Sequence, residues 1–307
     1  MTSVNTIRPV PTWHCPPVLG AGYLYHCIPA HQRYHDRLLQ LGAQVDMIEY
    51  LASHFTSDPD YLQEVHAGTG GLPWTLHSYE YMIGSVDRPR PSTLRRLQRL
   101  AAVPGCQYIG EHVAMVGTTD TYSGNFLQPF GTDEQTQVFI DNLSAARRDF
   151  DCPLIVENQP QVLNRIGPRS VCEQVRDIAV GADTGVLLSL SNLAMSNSFR
   201  PEVDRERELG VIPVDRIWEV HVPLACEAEL RDPAYATVRE DERWALRTLE
   251  ELCKHPDFRP TAVIFEIQAT GTPSPAEPER TRDMLEHARG LLGVTRQSAS
   301  TAAEAGT

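Results

Sequence analysis

Eight short apolar runs recur along this chain with longer amphipathic stretches between them, an order that few folds accept. The runs fall at 18–24 (VLGAGYL), 44–50 (QVDMIEY), 72–77 (LPWTLH), 106–112 (CQYIGEH), 152–158 (CPLIVEN), 184–190 (TGVLLSL), 216–221 (RIWEVH) and 261–267 (TAVIFEI). Each is six or seven residues long, which suits a strand and is too short for a helix. Their nearly unbroken apolar character suits strands covered on both faces. Helical periodicity occupies the intervals, at about 31–42, 58–66, 92–103, 133–149, 170–181, 240–254 and 277–291. Alternation of this kind builds a parallel sheet with helices outside it. Eight repeats in 307 residues predict an α/β fold, a closed (β/α)8 TIM barrel over 18–292. Residues 1–17 then form an N-terminal arm over the barrel base, and the small polar residues of 293–307 a flexible tail.

Local signals agree with this order. Asp133 and Ser170 stand where helix N-caps belong, Ser170 with Glu173 three residues on as a capping box, and Gly181 follows the apolar periodicity as a stop. Two connections are long, about 113–132 and 191–215. Insertions on the strand-to-helix side of a barrel usually belong to its active site. GTGG (68–71) has no helix of the phosphate-cradling kind after it and reads as a turn.

In a β/α barrel the carboxyl ends of the strands converge on one mouth, so the residue at each strand end carries the information. Strand 3 ends on His77, strand 4 on His112, strand 5 on Glu157, strand 7 on His221 and strand 8 on Glu266. Glu49 takes the same place on strand 2. Imidazole nitrogens and carboxylate oxygens are the ligand set of divalent iron, zinc or manganese, and a carboxylate can bridge two ions. Five such groups at one mouth predict a metal site. His26, His31 and His35 cluster after strand 1 without a carboxylate beside them and read as structural or substrate-contacting.

Composition excludes several alternatives. A net charge of −13 repels a phosphate backbone, and the arginines of RPRPSTLRRLQRL (88–100) read as a solvated helix face, so no nucleic-acid partner is expected. Seven cysteines without a C-x-x-C pair form neither a disulfide framework nor a zinc ribbon. No apolar run approaches membrane-spanning length and no secretory signal opens the chain, which predicts a reduced, cytoplasmic protein without a membrane partner.

The motifs WTLHSYEYMIGS (74–85), YIGEHVAM (108–115), LIVENQPQVL (154–163), LLSLSNLAMSN (187–197), IWEVHVP (217–223) and VIFEIQ (263–268) resemble, in order and near spacing, those of the multinuclear non-haem iron-dependent oxidative enzymes. The resemblance covers about residues 18–270 and implies a TIM barrel of the xylose-isomerase-like kind. It implies metal-ligand roles for His77, His112, Glu157, His221 and Glu266, with Glu157, His221 and Glu266 nearest the chemistry. It further implies iron with dioxygen as co-substrate, ribosomally made precursor peptides as substrates, and a companion protein that holds the peptide leader.

The chain departs from the family pattern at two places. Strand 6 of the family normally supplies an aspartate and further ligands just beyond it, where this chain has Ser189, Ser191 and Asn192; an Asp-x-His pair after strand 7 aligns with Asp232-Pro-Ala234. A hydroxyl brings no charge to a hard cation. The expectation is therefore one or two ions per chain, His77, His112 and Glu157 holding one and Glu157, His221 and Glu266 a second. Iron is expected, with zinc or manganese as alternatives. The expected activity is a dioxygen-using oxidase or oxygenase in specialised biosynthesis, acting on a peptide residue or a small amino-acid-like molecule. Glu80, Tyr81, Asn125, Asn158, Ser189, Asn192 and Gln268 are candidate substrate or supporting contacts. A divalent-metal isomerase or hydrolase on the same barrel is the alternative, though an isomerase would want a strand 6 carboxylate and a lysine at the mouth. The chain's one lysine is Lys254, in the last turn of a helix.

Overall fold

A computed structural model describes residues 12–118, 120–226, 236–267 and 277–294. Eight parallel strands close into the barrel: β1 (Gly20–Tyr25), β2 (Met47–Leu51), β3 (Trp74–Ser78), β4 (Cys106–His112), β7 (Leu154–Glu157), β8 (Val186–Ser189), β9 (Ile217–Leu224) and β10 (Ala262–Ile267). Their order around the barrel follows the chain, and β10 pairs back onto β1. All eight expected strands are present. The fold is a TIM barrel.

The helices α1 (Pro29–Gln40), α2 (Tyr61–Gly68), α3 (Pro91–Ala101), α4 (Asp133–Ala146), α5 (Val171–Gly181), α8 (Ala236–Leu252) and α9 (Glu277–Leu291) match the expected periodic stretches. Their apolar faces and the outward residues of the strands make the main core, with Trp74, Tyr50, Phe139 and Phe265 among its fully buried members. A second, smaller cluster of Leu24, Met47, Ala262 and Ile264 fills the inside of the barrel.

Both long connections contain regular structure. Residues 113–132 carry a hairpin, β5 (Met115–Gly117) with β6 (Tyr122–Leu127). Residues 191–215 carry most of α6 (Leu190–Phe199), then α7 (Arg205–Gly210). Sequence periodicity missed α6 because it is Ser- and Asn-rich and follows β8 without a break.

Two end signals are corrected. The cap of α4 is Thr132, whose hydroxyl accepts from the Gln135 N–H, while Asp133 is the first helical residue. Beyond Gly181 the left-handed residue that ends α5 is Asp183, with φ of 49°; its N–H and that of Thr184 return to the carbonyls of Val180 and Ala179. Ser170 caps α5 through the full reciprocal box with Glu173.

Residues 12–17 lie against the amino-terminal end of β10. Trp13 is buried, with the Arg147 guanidinium 4.4 Å from its ring centroid, and the Thr261 hydroxyl donates to the Pro16 carbonyl at 3.0 Å. Residues 1–11 and 295–307, the outer parts of the expected arm and tail, lie outside the described residues. The arginines of 88–100 are engaged locally: Arg99 pairs with Asp60, Arg88 with Asp149 and Arg96 with Glu80.

Glu111, next to His112, points the other way and holds the turn after β3. It is fully buried, and its Oε1 accepts the Met82 N–H at 3.1 Å, fixing a residue whose φ is 61°. Burial pushes its carboxyl up to about 8, against donors from Ser78, Met82 and Tyr81 that draw it down. A folded-state value above the ordinary 4.5 means that the folded chain keeps this proton while the unfolded chain gives it up. The stabilisation is complete below pH 4.5 and is lost as pH rises toward 8. Glu111→Gln should therefore flatten the pH dependence of stability across this window. Urea unfolding at both limits should show wild type losing ~2 kcal/mol or more relative to the variant; parallel profiles would refute a neutral Glu111.

Candidate metal centre

Side chains alternate along a strand, so residues two apart share a face. The inward face of β2 carries Met47 and Glu49, that of β3 Thr75 and His77, and that of β4 Tyr108, Gly110 and His112. Glu157 ends β7, Ser189 ends β8, and β9 contributes Glu219 and His221. Gly110 makes room at this level: a Cβ there would stand 3.2 Å from His77 Nδ1 and 2.9 Å from a Leu187 methyl.

The inward groups meet closely. His77 Nε2 lies 3.4 Å from Glu157 Oε2, and His112 Nδ1 is in ion-pair contact with the same oxygen. On the other side of Glu157, His221 Nδ1 is 3.9 Å from Oε1 and 3.4 Å from Glu266 Oε1. The structure thus brings His77, His112, Glu157, His221 and Glu266 to one place. All but Glu266, a quarter exposed at the mouth, are buried.

A deeper layer was not part of the expected ligand set. His221 Nε2 lies 2.9 Å from Glu219 Oε1 and 3.1 Å from Glu49 Oε2, and Tyr108 donates its hydroxyl to Glu219 Oε2 at 2.5 Å. Glu49 Oε1 is also 3.6 Å from His77 Nδ1. Strand parity could have found two of these groups: Glu219 precedes His221 by two residues and Tyr108 precedes His112 by four, and both steps preserve the face. Two further neighbours had no such signal. The Gln159 amide contacts His112 Nδ1, and Phe126 of the hairpin stacks on the His112 ring at 4.6 Å between centroids.

Two triads offer ligand atoms that all lie within 4.8 Å of one another, His77 with His112 and Glu157, and Glu49 with Glu219 and His221. Glu157 Oε2, His77 Nδ1, His221 Nδ1 and Glu49 Oε2 are buried and make no well-formed hydrogen bond, their contacts being with the other imidazoles and carboxylates of the centre. Leaving such atoms unmatched is costly, and a divalent cation satisfies carboxylate and imidazole lone pairs together. The electrostatics point the same way. Burial alone would raise Glu157, but the imidazoles of His112 and His77 hold it down at about 2. Burial, and then the neighbouring imidazole of His112, keep His77 well below its ordinary value. An ionised carboxylate beside an imidazole that resists protonation is a donor set that fits a cation. At His221, burial is outweighed by Glu49 and Glu266, which favour a proton in the metal-free protein.

The expected substrate contacts separate into groups. Asn192 reaches the centre, its side-chain amide donating to Glu157 Oε1 and to the Asn158 carbonyl, both at 2.9 Å. Asn158 uses both polar atoms on the Ser189 backbone, Nδ2 donating to its carbonyl at 3.0 Å and Oδ1 accepting its N–H at 2.8 Å. The Ser189 hydroxyl caps α6 by accepting the Asn192 N–H at 3.1 Å. Glu80 pairs with Arg96 on the wall of a cavity of about 500 Å³ that Tyr79 also lines, and the Tyr81 hydroxyl donates to Asp149 at 2.5 Å. Asn125 lies on β6, its side chain outside the described residues, as are Gln268 and the Asp232-Pro-Ala234 segment. His31 and His35 are buried, His31 Nδ1 accepting the His26 N–H at 3.1 Å and His35 Nδ1 facing the Tyr23 hydroxyl at 2.7 Å.

Comparison with solved structures gives the same fold. D-psicose 3-epimerase from Clostridium cellulolyticum H10 is similar with a TM-score of 0.52 at 13% identity, over 89% of this chain and 99% of that one. D-allulose 3-epimerase from Methylomonas sp. gives 0.50 at 13% identity, over 90% and 96%. At these identities the likeness is one of fold. A UPF0276 protein of Caulobacter vibrioides (strain NA1000 / CB15N) is 27% identical over 208 residues, 66% of this chain and 73% of that protein. The model of the RiPP precursor modification enzymes MbnB/TglH/ChrH matches residues 28–266, a span that takes in every strand end at the centre from Glu49 to Glu266. The chain belongs to the MbnB/TglH/ChrH family of RiPP precursor modification enzymes.

Proposed function

We propose that this protein is a non-haem iron oxidase or oxygenase that uses dioxygen to modify a peptide residue or a small amino-acid-like substrate, at a centre of one or two ions. The observation that carries the reading is Glu157, an ionised buried carboxylate with His77 and His112 against one oxygen and His221 against the other. His77, His112 and Glu157 would hold one ion; Glu157, His221 and Glu266 would hold a second. Both sets are three protein ligands, the count of a site that keeps positions open for reactants. Iron there would supply one-electron chemistry with dioxygen.

The chain's own residues orient and enclose. Asn192 restrains Glu157 Oε1 through its amide. Phe126 and Tyr79 cover His112 on the hairpin side, their rings 6.0 Å apart. Asn192, with Asn125 and Gln268, is assigned to the substrate, while Ser189 and Asn158 shape the strand ends and Glu80 borders the adjoining cavity. Family membership supports a precursor peptide as substrate; the companion protein that would hold its leader is carried over from the resemblance of the motifs alone. Seven cysteines without a C-x-x-C pair suit a reducing cytoplasm, and among the described residues no helix is long and apolar enough to cross a membrane. The isomerase form of the alternative lacks its parts: Ser189 stands where strand 6 would carry a carboxylate, and Lys254 is paired with Glu251 on the surface.

Anaerobically purified protein should contain about one or two irons per chain and consume oxygen when given its precursor peptide. Zinc or manganese with no oxygen uptake would overturn the assignment. His112→Ala or Glu157→Ala should abolish metal loading while leaving the far-ultraviolet circular dichroism unchanged, and full iron occupancy in either variant would refute the site.

Ser189→Asp tests whether the departure at strand 6 sets the metal content. Aspartate caps helices as well as serine does, so α6 should persist while the new carboxylate raises metal content or affinity beside His221. Unchanged binding would mean that position 189 serves only the helix.

A further inference from the structure

We propose that Glu49 is a positioning residue that sets which nitrogen of His77 and of His221 is free to bind metal. The inference rests on the reading that Glu157 lies between two ions, and its geometry is independent of that reading. His77 presents Nε2 to Glu157 at 3.4 Å and Nδ1 to Glu49 at 3.6 Å. His221 presents Nδ1 to Glu157 at 3.9 Å and Nε2 to Glu49 at 3.1 Å. The two rings, 5.4 Å apart, are thus held between the same two carboxylates, each ring giving one nitrogen to each.

A neutral imidazole has one N–H and one lone pair, and a carboxylate accepts only. His221 Nε2 is within hydrogen-bond distance of Glu49, and His77 Nδ1 faces it from 3.6 Å, beyond one; with the protons of both rings on the Glu49 side, both lone pairs face Glu157, where a cation can take them. The opposite tautomer of either ring would remove a ligand without moving an atom. Position separates the roles: Glu49 is buried beside Glu219 on the Nε2 side of His221, while Glu157 shares the Nδ1 side with Glu266, which is a quarter exposed at the mouth. Glu219 supports the His221 end alone, accepting from Tyr108 and facing Nε2 at 2.9 Å. Glu49 therefore couples the two ion positions from below, as Glu157 does from above. The competing arrangement is that Glu49, Glu219 and His221 themselves bind an ion.

Glu49→Gln separates the two. A carboxamide offers one acceptor and one donor where the carboxylate offers two acceptors, so it can hold only one ring in its working tautomer. Zinc alone is the probe, added to full-length metal-free protein with a competing chelator. The variant should still bind two zinc ions, at least one of them roughly 10–100-fold more weakly. Nitrogen-15 histidine spectra of zinc-loaded wild type should show N–H protons at His77 Nδ1 and His221 Nε2, and one of the two should be lost in the variant. Outright loss of one equivalent at saturating zinc would make Glu49 a ligand and overturn the proposal. Unchanged affinities with both N–H signals intact would also overturn it. If Glu49→Gln does not fold, Glu49→Asp carries the test: its shorter carboxylate should keep two equivalents with weakened affinity, and unchanged affinity would refute the role. Wild type binding a single zinc would refute the two-ion reading, while the His77 N–H still judges Glu49.

Discussion

A single ionised carboxylate, Glu157, is held without solvent among three imidazoles, and much of the molecule exists to make that arrangement tolerable. An isolated buried charge would not stay ionised. Here His112 and His77 oppose the burial penalty, Asn192 donates to one oxygen, and the first turn of α6 brings its N-terminus close by, where a helix favours negative charge. None of these partners is near Glu157 in sequence. They meet only when β3, β4, β7, β8 and β9 are in register, so closure of the barrel and assembly of the centre are one event.

The sequence showed the barrel because each strand is apolar on both faces and each interval is periodic. It showed the mouth because a parallel barrel brings every strand end to the same side. His77, His112, Glu157 and Glu266 are legible for that reason, as polar residues at or next to the ends of apolar runs; His221 is expected to end its strand too, but β9 runs on through Val222, Pro223 and Leu224, and His221 reaches the centre from within it. Glu219 and Tyr108 are harder to see because they sit inside such runs, where a polar letter looks like a defect in a strand and only the two-residue pleat reveals a shared face. Phe126 and Gln159 are not legible at all. Their approach to His112 depends on the path of the hairpin and of the segment after β7, and neither has a period in sequence. The ends of α4 and α5 moved for a related reason, since which of two adjacent residues becomes the cap depends on where the chain turns.

Ser189 shows how a departure from a family pattern can hold a structural role. Its hydroxyl caps α6 and its backbone is fastened to Asn158, so the end of β8 is firmly fixed even though it brings no charge to the centre. The Asn192 that follows spends its amide on Glu157 instead of projecting freely. A carboxylate at the end of β8 would add a negative charge on the His221 side of Glu157. Without it, the residues that can balance a cation there are Glu157 and Glu266 at the mouth, with Glu49 and Glu219 behind His221.

That asymmetry bears on what the centre can do. The His77 side has two imidazoles and one carboxylate and is walled by Phe126 of the hairpin and Tyr79 just after β3. The His221 side has one imidazole, more carboxylate and an opening past Glu266 and Asn192 into a cleft of about 420 Å³ walled by Met195, Phe199 and Leu224. Carboxylate-rich surroundings favour the higher charge of a metal, while imidazoles and aromatic cover favour the lower. A substrate entering by the cleft would meet the carboxylate-rich side first. The two positions are therefore chemically unequal before any substrate arrives, and the inequality follows from which strand ends carry imidazole, which carry carboxylate, and the one that carries a hydroxyl.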